Sequence, residues 1–75
     1  MHELIRTNDL VLLSYVRSLL HDAGIEHLVL DGHMSVLDGS IGAIPRRVLV
    51  DEDLRWQARR VLREHDLGHE LRDEQ

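Results

Sequence analysis

The chain has 75 residues, with 14 acidic against nine basic side chains, a formal net charge of −5 and no cysteine. This length allows a single domain over residues 1–75 with a thin core, because so short a chain buries only about 60% of its unfolded surface. The missing cysteines exclude disulfides, thiolate nucleophiles and the common zinc-ribbon ligands. The negative charge disfavours non-specific binding to nucleic acid or anionic lipid.

The first half of the chain predicts a strand, a helix and a second strand. Leu4 and Ile5 begin a short strand that ends at residues 7–9, where polar side chains can cap a helix. The helix ends at Gly24, which stands where a left-handed C-terminal cap is expected. Its apolar stripe consists of Leu12, Val16, Leu19, Leu20 and Ala23. Residues 26–30 then predict a strand, closed by the turn at Asp31 and Gly32.

The second half predicts a strand over residues 47–50 and a helix that runs to about Asp66. Asp51 and the two acids after it supply a cap and negative charge at the helix start. The apolar stripe of this helix consists of Leu54, Ala58, Val61 and Leu62. Residues 69–71 predict a short fourth strand before a polar tail over residues 72–75. The order predicts an α+β, ferredoxin-like βαββαβ sandwich, with both helices on one face of a four-stranded antiparallel sheet.

The segment from His33 to Arg47 is the first candidate working surface. It reads HMSVLDGSIGAIPRR, combines glycines with the only proline, and follows neither helical nor strand periodicity. Its apolar side chains must lie against the domain's own sheet or against a second molecule. The candidate contact residues are His33, Met34, Ser35, Gly39, Ser40, Ile41, Gly42, Ile44, Pro45, Arg46 and Arg47. We therefore expect this loop and the open sheet face to serve self-association, as a dimer or trimer, or binding of a small ligand.

A second candidate surface lies on the second helix, where Trp56 is placed nearly opposite the apolar stripe. The candidate partner-face residues are Trp56, Arg59, Arg60 and Arg63, with Arg55 beside them. Tryptophan and arginine are enriched at binding hot spots, so this face could bind a protein partner or a phosphorylated ligand. The alternative is a solvated helix face on which Glu52 pairs with Arg55 and arginine stems cover the indole.

No catalytic signature occurs in the sequence, and no metal or cofactor is expected. His65 and His69 have a ligand-like spacing, but Leu67 and Gly68 should end the helix between them. We expect a cytoplasmic bacterial protein, since no apolar run is long enough for a signal peptide or a membrane span. Two alternative functions are an acylphosphatase-like hydrolase of phosphorylated substrates, with Arg46 or Arg47 as anion clamps, and nucleic-acid binding through the arginines of the second helix.

Three blocks of the sequence resemble one bacterial family. They are ELIRTND before a helix that ends in DAGI, the central HMSVLDGSIGAIPRRVLV, and the closing VDEDL and ARRVLRE. These blocks are similar to small domains described as "putative prokaryotic signal-transducing proteins". The resemblance implies a ferredoxin-like fold, related in architecture to the PII-like group, whose members form oligomers and sense small molecules. It also implies that residues 39, 40, 42, 45 and 46 belong to the family's glycine-rich motif, and it assigns no catalytic residue.

Overall fold

A computed structural model describes residues 1–30 and 45–72. The helices and strands are, in chain order, β1 (His2–Thr7), α1 (Leu10–Asp22), β2 (His27–Leu30), β3 (Arg46–Val50) and α2 (Arg55–Glu64). The strands form one antiparallel sheet in the order β1-β3-β2. Both helices and the sheet contribute to a single core. The fold is therefore α+β, with two helices and a three-stranded sheet in these residues, and it is compatible with the ferredoxin-like kind.

Capping side chains set the helix boundaries, as the sequence predicts. The carboxylate of Asp9 accepts hydrogen bonds from two backbone N–H groups in the first turn of α1. After α1, Gly24 takes a φ of +74°, the left-handed conformation that terminates helices and favours glycine. Asp51 caps the amide of Asp53 at 3.0 Å and opens a short 3₁₀ turn that leads into α2. Local side-chain hydrogen bonds thus explain where α1 and the 3₁₀ turn before α2 begin.

A bulge in β1 resolves a conflict in the pattern Glu3-Leu4-Ile5-Arg6. In a regular strand, alternation would place Glu3 on the same face as Ile5, and Leu4 on the same face as Arg6. A charged side chain would then point into the core. The register shifts by one residue between Glu3 and Ile5, so that Leu4 and Ile5 are both fully buried. Glu3 and Arg6 thereby share the opposite face of the sheet.

The core lies between the helices and the inward face of the sheet. Its buried residues are Leu4, Ile5, Leu13, Val16, Leu20, Ile25, Val48, Val50, Ala58 and Leu62. Val16 and Leu20 confirm part of the stripe predicted for α1. Leu13 is buried, whereas Leu12 and Leu19 are half-buried at the border of the core. The helix is therefore rotated slightly from the predicted orientation.

The predicted fourth strand over residues 69–71 is wrong. Gly68–Glu70 form a 3₁₀ turn, in which the amides of Glu70 and Leu71 donate to carbonyls three residues earlier. Amides used in this way are not available to a sheet ladder. The segment nevertheless runs beside β1, where the N–H of Arg72 donates to the carbonyl of Leu4 at 3.0 Å. Within residues 1–30 and 45–72, this is the one backbone hydrogen bond between the segment and β1.

Candidate functional site

The sheet face opposite the helices, which we call the outer face, is divided into a charged half and an apolar half. Residues directly opposite one another on antiparallel strands share a face. In order from β1 through β3 to β2, one row is Glu3, Leu49 and Leu28, and the next is Arg6, Arg47 and Leu30. The charged side chains lie mainly towards β1 and the leucines towards β2.

The apolar half, here the leucine corner, consists of Leu28, Leu30 and Leu49. Leu28 has 47% of its surface exposed. Its neighbour Val29 points the other way and packs against the core. Among the described residues, β2 pairs with β3 alone, so the leucine corner adjoins an edge of the sheet.

The charged half, here the arginine cluster, consists of Glu3, Arg6, Arg47 and Arg72. Nη2 of Arg6 lies 3.1 Å from Oε1 of Glu3, and Nη1 of Arg47 lies 3.7 Å from the same oxygen. Nε of Arg72 lies 3.1 Å from Oε2. One carboxylate is therefore shared by three guanidinium groups that come from two strands and the C-terminal segment.

The arginines hold Glu3 in its charged form. Partial burial acts to raise the pKa of Glu3, but the hydrogen bond from Arg6 and the charges of Arg6, Arg72 and Arg47 together outweigh it. The pKa of Glu3 consequently lies below its ordinary value of 4.5. Near neutral pH the arginine cluster carries three positive charges and one negative charge.

A buried arginine fixes the backbone of Arg72. Arg59 is only 8% exposed, and its Nη1 donates to the carbonyl of Arg72 at 2.9 Å. Since the N–H of Arg72 also donates to the carbonyl of Leu4, both backbone polar groups of Arg72 are hydrogen-bonded. Sequence reasoning placed Arg59 on the partner face but missed this contact, because the two residues are 13 positions apart. No local pattern signals such a pair.

The structure exposes Trp56, Arg60 and Arg63 of the predicted partner face of α2 but buries Arg59. Trp56 is 57% exposed, and the guanidinium carbon of Arg55 lies 5.1 Å from the centre of its ring. Arg55 also donates to Glu52 at 3.2 Å, the ion pair expected for a solvated helix face. Arg60 and Arg63 are exposed on the same helix. A role for this face in binding a partner stays a prediction.

Most of the predicted loop site lies outside the described residues. This applies to His33, Met34, Ser35, Gly39, Ser40, Ile41, Gly42 and Ile44. Pro45 is half-buried directly before β3. Arg46 and Arg47 are consecutive residues of β3, opposite Thr7 and Arg6 respectively, so their side chains leave the sheet on opposite faces. They do not converge on one anion.

A groove of ≈ 670 Å³ lies at the other end of the sheet, between the last turn of α1 and the start of β2. His21, His27 and Asp51 are among its lining residues. Within residues 1–30 and 45–72, no three His, Asp or Glu side chains are grouped so that they could hold a metal ion. None of the helices described is long and apolar enough to cross a membrane.

Residues 1–66 match the model of a family described as "putative prokaryotic signal transducing protein". The chain belongs to this family. The match includes the three strands and the two α-helices of the described residues and ends before Arg72. No match was found among curated proteins. The family description indicates a small module of the signal-transducing kind and names neither a ligand nor a reaction.

The lowered pKa of Glu3 predicts a specific dependence of stability on pH. Since the folded pKa lies below the unfolded one, the contribution of Glu3 is present above about pH 4.5 and is lost as pH falls through the folded pKa. We expect Glu3→Gln to lower the free energy of unfolding at pH 7, and the difference from the wild type to shrink towards zero at the acidic end. Urea denaturation from pH 7 down to pH 3 measures this. A difference that is the same at every pH would contradict the ion-pair assignment.

The bond between Arg59 and Arg72 predicts unequal effects of two neighbouring substitutions. Arg59→Ala removes a buried donor and leaves the Arg72 carbonyl without it, so we expect a loss of about 1–3 kcal/mol in the free energy of unfolding. Arg60→Ala removes the same charge from an exposed position and should change stability by less than about 0.5 kcal/mol. Urea denaturation of the two variants tests this, and equal losses would show that the buried contact contributes nothing.

Proposed function

We propose that the protein is a cytoplasmic, non-enzymatic regulatory module that works as a homo-oligomer through its outer face. The observation that carries the proposal is the leucine corner. Leu28 is exposed there beside Leu49, on a face that packs against neither helix. A module that acts through contacts between its subunits is consistent with a family described as signal transducing.

A second copy of the chain suits this surface for a geometric reason. A two-fold axis through the leucine corner would place leucines against leucines. The same rotation would carry the two arginine clusters to opposite ends of the contact, so like charges would not meet. The apolar centre and charged rim are the arrangement found in specific protein interfaces. A domain of this size also gains stability by burying further apolar surface in an oligomer.

The alternative cover for the leucine corner is the chain's own segment over residues 31–44, which lies outside the described residues. In the sequence, this segment joins β2, which ends at Leu30 of the leucine corner, to β3, which begins at Arg46. An intramolecular cover would leave the protein monomeric. The oligomeric state therefore separates the two arrangements.

The other functions have less support from the described residues. For a hydrolase with Arg46 or Arg47 as an anion clamp, the two consecutive strand residues lie on opposite faces of the sheet, so only one of them can serve a given site. Nucleic-acid binding through α2 would rely on Arg60 and Arg63, since Arg59 is buried against Arg72 and Arg55 bonds to Glu52. Two exposed arginines form only a small positively charged surface on a chain of net charge −5, which gives little electrostatic attraction for nucleic acid.

The proposal predicts that a charge at the leucine corner abolishes assembly. We expect wild-type protein to sediment as a dimer or trimer and Leu28→Glu to sediment as a folded monomer, because a carboxylate would have to be buried in the contact. Sedimentation velocity over a range of concentrations measures this, and circular dichroism confirms the fold.

The matched control is Val11→Glu. Val11 is a 79% exposed apolar residue in the first turn of α1, where a carboxylate is also electrostatically favourable. This variant should assemble like the wild type. A wild type that stays monomeric at high concentration would overturn the proposal, and so would assembly that Leu28→Glu leaves intact.

A further inference from the structure

The arginine cluster is an unusual arrangement for a protein with an excess of acidic residues. Three of the nine basic residues in the chain meet at one carboxylate, although the chain has 14 acidic residues to offer as partners. The side chains of Arg6, Arg47 and Arg72 are still 40%, 43% and 48% exposed. Their contacts with Glu3 therefore use only part of their hydrogen-bonding capacity, since each guanidinium has five N–H donors.

The cluster is held in place from several sides. Arg6 and Arg47 are directly opposite each other on β1 and β3, and the bulge in β1 brings Glu3 to the same face. Arg72 is fixed through its backbone by Arg59 and by Leu4. The fold therefore already holds the three like charges side by side. The binding of a ligand then requires little further ordering of these side chains.

We propose that the arginine cluster is a binding site for a small phosphate-bearing ligand. With Glu3 ionised, the cluster has a net charge of +2, which a phosphate monoester dianion would balance. Tetrahedral phosphate oxygens can accept hydrogen bonds from three guanidinium groups that approach from different directions. A carboxylate ligand would match the cluster less well than a phosphate, because it is planar and offers only two oxygens and one negative charge. Glu3 orients the three arginines and lies at the base of the site.

This inference goes beyond the proposed function and uses the other half of the outer face. The leucine corner lies towards β2, whereas Arg6 and Arg72 lie on and beyond β1. Leu49 lies beside Glu3 and could contact an apolar part of the ligand. Binding and assembly can therefore be tested one without the other.

The test is a titration of the full chain with inorganic phosphate, followed by amide chemical shifts at constant ionic strength. We expect saturable shifts centred on residues 3, 6, 47 and 72. Arg47→Gln and Arg6→Gln should each weaken binding by about tenfold or more, because each removes a charge-assisted hydrogen bond. Glu3→Gln should strengthen binding, because the glutamine keeps an amide oxygen that can orient the arginines but lacks the competing negative charge.

Arg60→Gln is the matched control, because it makes the same change in net charge on the exposed side of α2. It should bind phosphate as the wild type does. The proposal is overturned if no saturable shifts appear, if they centre on another surface, or if Arg60→Gln weakens binding as much as Arg47→Gln. Leu28→Glu should retain phosphate binding whatever its oligomeric state, so this result is separate from the test of assembly. A second titration uses glycerol 3-phosphate. A site for phosphate esters should bind this compound at least as tightly as inorganic phosphate, whereas a site for the free ion alone should not bind it.

Discussion

The bulge in β1 is the constraint on which the rest of the structure depends. Four consecutive residues, charged-apolar-apolar-charged, cannot satisfy the alternation of a regular strand without placing a charge in the core. One extra residue allows Leu4 and Ile5 both to be fully buried. The same residue puts Glu3 and Arg6 together on the outer face. Core packing and the charge arrangement of the outer face therefore have one common cause.

The consequences of the bulge extend along the sheet. Glu3 lies where guanidiniums from β1, β3 and the C-terminal segment meet, and the C-terminal segment bonds to the carbonyl of Leu4 within the bulge itself. From the other side, Arg59 of α2 holds that segment through the carbonyl of Arg72. The charged half of the outer face is thus connected to the core through one backbone hydrogen bond and one hydrogen bond from the Arg59 side chain. The leucine corner remains at the opposite side, which gives a small domain two distinct surfaces on one face.

The sequence is informative where local chemistry decides the structure. Asp9, Gly24 and Asp51 mark the helix ends because capping depends on neighbouring residues alone. The fourth strand was predicted wrongly because the apolar character of Leu71 does not reveal that the preceding turn uses its amide. The arginine cluster joins residues from both ends of the chain, so only the fold reveals it. The charged-apolar-apolar-charged pattern of β1 was the one local signal that could have indicated the bulge.

The register of β1 against β3 is the most direct test of this account. Cross-strand nuclear Overhauser effects between backbone protons measure it in solution. The account predicts contacts that pair Glu3 with Leu49 and Ile5 with Val48, which requires the extra residue between them. Regular pairing from Glu3 onward would instead connect Leu4 with Val48 and Ile5 with Arg47. Observation of that second set would contradict the bulge and the shared face of Glu3 and Arg6.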